Sequence, residues 1–203
     1  PLTIISGYSQ LMLSEAKDEE NKKNLNVMIS ESERLSNLVH EFLELSKLES
    51  GNIKLNKEKV DINTLIKDEI EKLDVDIKNK RLNIKLDLCK DGNLIVDKKE
   101  FAKVVENLLT NAIKFTKGDK RIVIKTYVKD EYFYYEVYNS GDNINESDLK
   151  NIFNSYYKDK STRNKKGTGL GLTIVKVVVD LHDGECFVKN TSDGVKFIIK
   201  IKK

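Results

Sequence analysis

The chain has 203 residues, of which 39% are hydrophobic and 34% are charged, a balance typical of a globular protein with a heavily charged surface. The length allows one medium domain, or a small domain with an appendage. The formal net charge is only +3, which gives no argument for nucleic acid as a partner. No apolar run approaches the ~20 residues that a membrane span requires, and Cys89 and Cys186 lack the spacing of a metal site.

The first 50 residues predict two helices that form an antiparallel hairpin. The first helix is expected from about Leu2 to Ala16, and a charged turn over residues 17–20 follows it. The second helix carries residues at alternating spacings of three and four, which is the pattern of a helical bundle: Leu25, Met28, Ser32, Leu35, Val39, Phe42 and Ser46. Because one hairpin cannot bury such a stripe, we expect two copies to associate as a four-helix bundle.

Gly51 favours the end of the second helix, and we expect a boundary there between a hairpin of residues 1–50 and a domain of residues 51–203. The elements predicted after it are a short strand at Ile53 and Leu55, one helix from the N-cap Asp61 to about Lys80, and strands over residues 82–88 and 94–96. Asp97 and Glu100 form a capping-box pattern at the start of the next helix. The apolar face of that helix consists of Phe101, Val104, Val105, Leu108, Leu109, Ala112 and Ile113.

Three polar residues, Asn107, Asn111 and Lys114, follow one another along the edge of that apolar face. Asparagine is a mediocre helix former, so two of them at this spacing indicate a requirement other than helix stability. A carboxamide oxygen suits Mg²⁺, and an ammonium group can meet a phosphate. The alternative is a polar stripe on a solvated helix face.

The next stretch predicts a β-hairpin over residues 122–128 and 132–138, with Lys129 and Asp130 at its turn. Asn139, Ser140 and Gly141 then break the second strand. A short helix is expected over residues 146–157, and a basic segment over residues 158–166 leads away from it. The chain closes with two strands, at about residues 185–190 and 195–201.

The segment from Gly167 to Leu172 alternates glycine with other residues and runs directly into an apolar helical stretch. Glycine lets the backbone approach a ligand closely, and the free N–H groups of a helix N-terminus favour an anion. The segment therefore predicts a phosphate-binding loop, with a flexible hinge as the alternative. Its spacing differs from the dinucleotide fingerprint, and it lacks the Gly-Lys-Ser/Thr of a P-loop.

Taken in order, these motifs resemble the cytoplasmic core of a two-component sensor histidine kinase over essentially the whole chain. Residues 107–116 are similar to the N box of that family, and residues 139–141 to its first glycine box. Residues 152–158 resemble the F box, and residues 167–172 closely resemble the second glycine box. Residues 38–51 look like the end of the family's dimerisation hairpin.

The resemblance implies an α+β fold, an α/β sandwich of the gyrase, chaperone and histidine kinase type. In it a mixed sheet is covered by helices on one face, and an antiparallel helical hairpin precedes it. The resemblance also implies ATP and Mg²⁺ as cofactors, with Asn111 as a metal ligand and Asn107 as a candidate second one. The ATP-binding residues that it implies are Asn107, Asn111, Lys114, Phe115, Asn139, Gly141, Ile144, Tyr157, Lys158, Gly167, Thr168, Gly169, Leu170, Gly171 and Leu172.

The sequence departs from the family pattern at three places. Asn139 stands where the first glycine box has an aspartate that accepts from the adenine amino group, although a carboxamide oxygen can still accept. Asn143 replaces a second glycine of that box and tolerates a positive φ better than most residues. The family's acceptor histidine lies shortly before a proline that matches Pro1, so we expect it upstream of this sequence. The chain would then hold no catalytic nucleophile of its own.

The activity that the resemblance implies is transfer of the ATP γ-phosphate to a histidine, and from there to an aspartate of a response regulator. The implied partners are a second copy through residues 1–50 and a response-regulator receiver domain, without nucleic acid, and with a membrane only through upstream segments. The chain would be the cytoplasmic portion of a sensor in the inner or cell membrane. Two other functions stay open: a degenerate nucleotide-binding module with adenine recognition weakened at Asn139, and a serine kinase of the anti-sigma type.

Overall fold

The structure, a computed structural model, describes residues 1–50, 54–154 and 168–203. The first 50 residues form the predicted hairpin of α1 (Leu2–Glu15) and α2 (Glu19–Glu49). Asp18 fixes the start of α2, because its side chain accepts a hydrogen bond from the Asn21 backbone N–H at 3.0 Å. Ser9, Leu25 and Ser32 are the hairpin residues that are buried in the half near the turn.

The remaining elements form a second, α+β unit. In chain order they are β1 (Lys57–Asp61), α3 (Ile62–Lys72), α4 (Asp74–Lys80), β2 (Asn83–Asp87), β3 (Asn93–Asp97), α5 (Lys98–Phe115), β4 (Arg121–Lys129), β5 (Tyr132–Ser140), α6 (Glu146–Leu149), α7 (Gly171–Leu181), β6 (Glu185–Asn190) and β7 (Gly194–Lys202). Five strands make one mixed sheet in the order β2-β4-β5-β7-β6, with β2 parallel to β4 and the other neighbours antiparallel. Strands β1 and β3 pair separately and antiparallel.

The core lies between one face of the five-stranded sheet and the helices α3, α5 and α7. Val137 marks its centre, since it pairs with Ile124 on β4 and with Phe197 on β7 and has no exposed surface. The predicted apolar face of α5 is buried over its whole length. On the opposite face of the sheet, Tyr127 and Tyr134 stack with ring centroids 4.8 Å apart and stay partly exposed. The predicted class, with helices on one face of a mixed sheet, is confirmed.

Two predicted elements near the start of this unit are wrong. Leu55 lies outside any strand and β1 begins only at Lys57, while Gly51 and Ile53 fall outside the described residues. The single helix expected from Asp61 to Lys80 is interrupted at Leu73, which separates α3 from α4. The interruption turns the chain so that Leu73 and Ile77 both pack against the core.

Two further predictions need correction by a few residues. The β4–β5 turn consists of Asp130 and Glu131, with φ of 49° and 64°, because Lys129 already pairs with Tyr132. Positive φ at both central residues gives the tight turn that fits the twist of a hairpin. The helix expected over residues 146–157 is the short α6, which is followed by turns to Asn154. Residues 155–157 lie outside the described residues.

Only half of the predicted capping box at α5 is formed. The Asp97 side chain accepts from the Glu100 backbone N–H at 3.0 Å, as expected. The Asp97 backbone N–H does not bond to Glu100 but donates to Nε2 of His182 at 3.0 Å. Glu100 instead pairs with Lys103, with 2.9 Å between the charged atoms. Among the helices of the three described segments, none has the length and hydropathy of a membrane span.

Candidate functional site

Helix α5 carries Asn107, Asn111 and Lys114 along one half-buried edge, beside its fully buried face. The Asn107 carboxamide is fixed, since its Nδ2 donates to the backbone carbonyl of Lys103 at 2.9 Å. Its Oδ1 then faces the first turn of α7. A Cβ atom built on Gly171 would lie 2.4 Å from that oxygen, so glycine is what lets α7 begin this close to α5.

The N-terminus of α7 meets the conditions for binding an anion. In the described part of the chain, no side chain caps its first N–H groups and no acidic residue lies in its first turn. Gly169, two residues before the helix, has a φ of 84° that favours glycine. Thr168 Oγ1 accepts from the Leu170 backbone N–H at 3.3 Å and so shapes the approach to the helix. The free donors and the helix dipole both favour a phosphate here.

Contacts between backbone segments join the end of α5 to the first glycine box. The Lys117 backbone N–H donates to the Ser140 carbonyl at 2.9 Å, and the Ser140 hydroxyl donates to the Lys117 carbonyl at 2.8 Å. Gly141 has a φ of 150°, and a Cβ atom there would lie 2.7 Å from the carbonyl oxygen of Phe115. Lys114 Nζ lies 4.9 Å from the centroid of the Phe115 ring. Phe115 thus lies beside Gly141 through its backbone carbonyl and beside Lys114 through its ring.

Asn139 lies near the end of β5, where it pairs with Ile122 and Val195 and is only 3% exposed. Its Nδ2 donates to the Ser140 carbonyl across 3.3 Å, which is long for such a bond. Asn139 is therefore a buried carboxamide at the end of β5 whose donor is only weakly engaged.

The loop after Gly141 is held by side chains rather than by unusual backbone angles. Asn143 does not use its tolerance of a positive φ, because it is not among the described residues with a positive φ. Its Nδ2 instead donates to the Thr191 carbonyl at 3.0 Å. Sequence reasoning missed Asn190, whose Oδ1 accepts from the Ile144 N–H at 3.0 Å and whose Nδ2 donates to the Ile144 carbonyl at 2.6 Å. No local pattern marks Asn190, since its partner lies on a distant loop.

Leu170 is fully buried and Leu172 half-buried, so both support the loop by packing. Three expected ATP-binding residues, Tyr157, Lys158 and Gly167, lie outside the described residues. The structure therefore brings together two groups of the expected residues. One surrounds the start of α7, and the other surrounds the end of β5.

The two histidines occupy different environments. His40 is exposed on α2, whereas His182 is 4% exposed at the end of α7. Nε2 of His182 accepts from Asp97, so the proton sits on Nδ1, which donates to the Val178 carbonyl at 2.8 Å. Burial lowers the pKa of His182, and both ring nitrogens are occupied by backbone groups. His182 joins α7 to the start of α5 and does not face the candidate site as a free base.

Comparison with family models identifies both units of the chain. Residues 96–203 match the histidine kinase-, DNA gyrase B- and HSP90-like ATPase family, which is more than half of the chain. Residues 1–51 match the His Kinase A phospho-acceptor domain. The chain therefore belongs to the sensor histidine kinases, with a phospho-acceptor hairpin followed by an ATPase-type domain.

Individual relatives agree with this assignment. The sensor protein SrrB of Staphylococcus aureus strain N315 is 30% identical over the whole chain, which covers 36% of that relative. The chain thus spans about a third of the length of the curated relatives that it matches. Histidine kinase ThkA, solved in complex with the response regulator protein TrrA, is 28% identical with a TM-score of 0.77, covering 100% of this chain and 58% of ThkA. Full-length ShkA in complex with AMPPNP has a TM-score of 0.80 at 22% identity over 100% of this chain and 43% of its own, and this likeness shows the fold.

Proposed function

We propose that this chain is the core of a protein-histidine kinase that transfers the γ-phosphate of ATP to a histidine and thence to a response-regulator aspartate. One observation carries the proposal: the polar edge of α5 meets the uncapped start of α7 at Gly171, where a Cβ would lie 2.4 Å from Asn107 Oδ1. Phosphoryl transfer requires mainly the positioning of phosphates and the neutralisation of their charge. The carboxamide edge and the helix donors supply the positioning, and Lys114 together with a metal ion held at that edge would supply the neutralisation.

The residues of α5 and α7 take separate roles in this proposal. Asn111 ligates Mg²⁺ through its carboxamide oxygen, and Asn107, fixed by its bond to the Lys103 carbonyl, is a candidate second ligand. Within residues 1–50, 54–154 and 168–203, no cluster of three or more His, Cys, Asp or Glu side chains could hold a metal. The ion would therefore depend on carboxamide and phosphate oxygens. Lys114 and the N–H groups of the first turn of α7 meet the phosphates.

The base of the nucleotide lies at the other group of residues. Asn139 offers a carboxamide at the end of β5, with Gly141 and Phe115 beside it, and we place Ile144 in the same group of residues. Because a carboxamide carries no charge, we expect adenine binding that is weaker than an aspartate would give. The carboxamide at position 139 is the observation that favours the second candidate function, a nucleotide-binding module with reduced affinity. Restoring the carboxylate by Asn139→Asp would tighten ATP binding if the site is used as we propose.

The partners follow from the hairpin and from the relatives. Exposed apolar residues on α1 and α2, among them Tyr8 and Leu35 at 66% and 47%, suit association of two copies through residues 1–50. Because ThkA was solved with a response regulator, we propose a receiver domain as the second partner. We place the chain on the cytoplasmic side of a membrane sensor, as its resemblance implies.

Calorimetric titration tests the nucleotide site directly. Asn111→Ala should weaken Mg·ATP binding at least about tenfold. This is the lower end of the loss in metal affinity that follows when a group supporting a metal site is removed. Its affinity for ATP without Mg²⁺ should stay unchanged. Thr110→Ala is the matched control, because Thr110 lies on the exposed side of the same helix. Unchanged Mg·ATP affinity in Asn111→Ala would remove Asn111 from the metal site.

A labelling experiment tests where the phosphate goes. We expect neither His40 nor His182 to be the acceptor, since His182 is enclosed by backbone partners and His40 lies on α2 at an ordinary exposed position. With γ-labelled ATP, residues 1–203 alone should stay unlabelled, and a chain extended to include the expected upstream histidine should become labelled. Label on residues 1–203 that disappears in His40→Gln would make His40 the acceptor instead.

A further inference from the structure

The end of α2 is docked onto the ATPase-type domain of the same chain. Leu45 and Leu48 are 4% and 2% exposed, and Leu48 belongs to the same core cluster as Phe101. Glu44 Oε1 lies 3.1 Å from Lys103 Nζ, which joins α2 to α5. The hairpin and the domain therefore share an interface that reaches the helix carrying the candidate metal ligands.

A second polar contact of this interface lies at the phosphate loop itself. The Thr168 hydroxyl donates a hydrogen bond to the Glu41 carboxylate of α2. The same hydroxyl oxygen accepts from the Leu170 N–H, immediately before the first turn of α7. The carboxylate of Glu41 is thus placed beside the uncapped helix N-terminus that we assign to phosphate.

Glu41 is half-buried, and its carboxylate lies near two other glutamates. Burial raises the pKa of Glu41, the Thr168 hydrogen bond and His40 lower it, and Glu44 and Glu106 raise it, so that the net direction is upward. Lys103, the nearby cation on α5, is engaged with Glu44 and Glu100. A carboxylate that is partly desolvated repels a second anion placed next to it.

We propose that the Glu41–Thr168 contact is an autoinhibitory coupling, in which docking of α2 at the phosphate loop and binding of nucleotide phosphates oppose each other. Glu41 occupies the Thr168 hydroxyl and places negative charge where the phosphates must come. Nucleotide binding therefore weakens the contact, and any movement of the hairpin that withdraws Glu41 raises nucleotide affinity. Because such coupling is reciprocal, both effects have the same magnitude. The proposal rests on the nucleotide site proposed above.

The test measures Mg·ATP affinity by calorimetry in the full chain, for the unaltered protein and for Glu41→Gln. Glutamine keeps an acceptor for the Thr168 hydroxyl but removes the charge, so we expect binding to tighten about fivefold or more, within the usual range of coupling between sites. Glu33→Gln is the matched control, since Glu33 is an exposed glutamate on the same helix. It should leave the affinity unchanged.

A second measurement follows the reciprocal effect. Hydrogen exchange over residues 41–48 should accelerate when Mg·ATP saturates the unaltered protein, and the acceleration should be smaller in Glu41→Gln. If the unaltered protein and Glu41→Gln bind Mg·ATP equally well, the coupling is refuted while the nucleotide site stands. If no variant binds nucleotide at all, the site and the coupling fall together. If Glu33→Gln tightened Mg·ATP binding as much as Glu41→Gln does, the coupling would also be overturned. The change in affinity would then follow from the net charge of the protein and not from the Glu41–Thr168 contact.

Discussion

The hairpin and the ATPase-type domain place their apolar side chains in opposite ways. In the domain, Phe101 and Leu108 of α5 have no exposed surface, because the five-stranded sheet lies opposite them. In the hairpin, Tyr8, Leu35 and Phe42 are 66%, 47% and 52% exposed. Both regions have the apolar spacing of helices with a buried face. Helical periodicity therefore indicates that the apolar face of a helix must pack against something. Whether it packs within the same chain depends on whether the chain supplies a second layer of secondary structure opposite that face.

The largest expected effect is a difference in the free energy of unfolding that is lost when an apolar side chain is removed from the domain or from the hairpin. Phe101→Ala should lower the free energy of unfolding by about 3–5 kcal/mol, since it empties a fully enclosed site. Leu35→Ala should change it by about 0.5 kcal/mol at concentrations too low for association, because the side chain is half-exposed. Denaturation in guanidinium chloride, followed by circular dichroism, measures both. Equal losses would mean that the hairpin is as self-contained as the domain.

The next effect concerns association of two chains through the hairpin. Leu35→Lys places a charge in the exposed stripe and should raise the dimer dissociation constant at least about tenfold, or about 1.4 kcal/mol. Val75→Lys is the control, because Val75 is 69% exposed on α4, away from the hairpin. Sedimentation equilibrium over a range of concentrations gives both constants. Equal constants for the two variants would mean that the stripe is not the contact between copies.

The features that were predictable from the sequence are those with a regular period. The stripe on α2 and the buried face of α5 follow from spacing, and the order of four motifs led to the family. The interruption at Leu73 has no signal of this kind. No proline or glycine marks it, and it depends on how Leu73 and Ile77 reach the core.

The contacts that escaped prediction join residues far apart in the sequence. Glu41 and Thr168 are 127 residues apart, and Asp97 and His182 are 85 apart. Each contact joins one polar residue to one other polar residue, so the sequence contains no repeated spacing that would predict it. At Asn143, local reasoning considered only the backbone, whereas the side chain bonds to Thr191 of another loop. Polar contacts between segments that are distant in the sequence are therefore the part of the site that could be identified only from the structure.

The third prediction concerns how the free energy of unfolding depends on pH through the buried His182. Because burial depresses the pKa of His182 in the folded chain, the unfolded chain takes up the proton first as the pH falls through about 6.5. The stabilising contribution of a neutral His182 is complete above that pH and is lost below it, by at most about 1.4 kcal/mol for each pH unit. The free energy of unfolding at pH 7.5 and pH 5.5 measures this loss. His182→Gln should reduce the difference, and His40→Gln, on the exposed surface of α2, should not.

The smallest expected effect has the opposite sign and uses a glycine in each region. Gly7 lies in α1 with no atom within 4 Å of a Cβ built on it, so Gly7→Ala should stabilise the chain by about 0.5–1 kcal/mol through a lower cost of ordering the helix. A Cβ on Gly184 would lie 2.4 Å from Ile201 Cδ1 and 2.7 Å from the Lys200 carbonyl oxygen, so Gly184→Ala should destabilise it. Thermal unfolding at low and high protein concentration measures both variants. If Gly7→Ala lost stability only at high concentration, Gly7 would lie in close contact between two copies, and the open face of the hairpin would extend to that position.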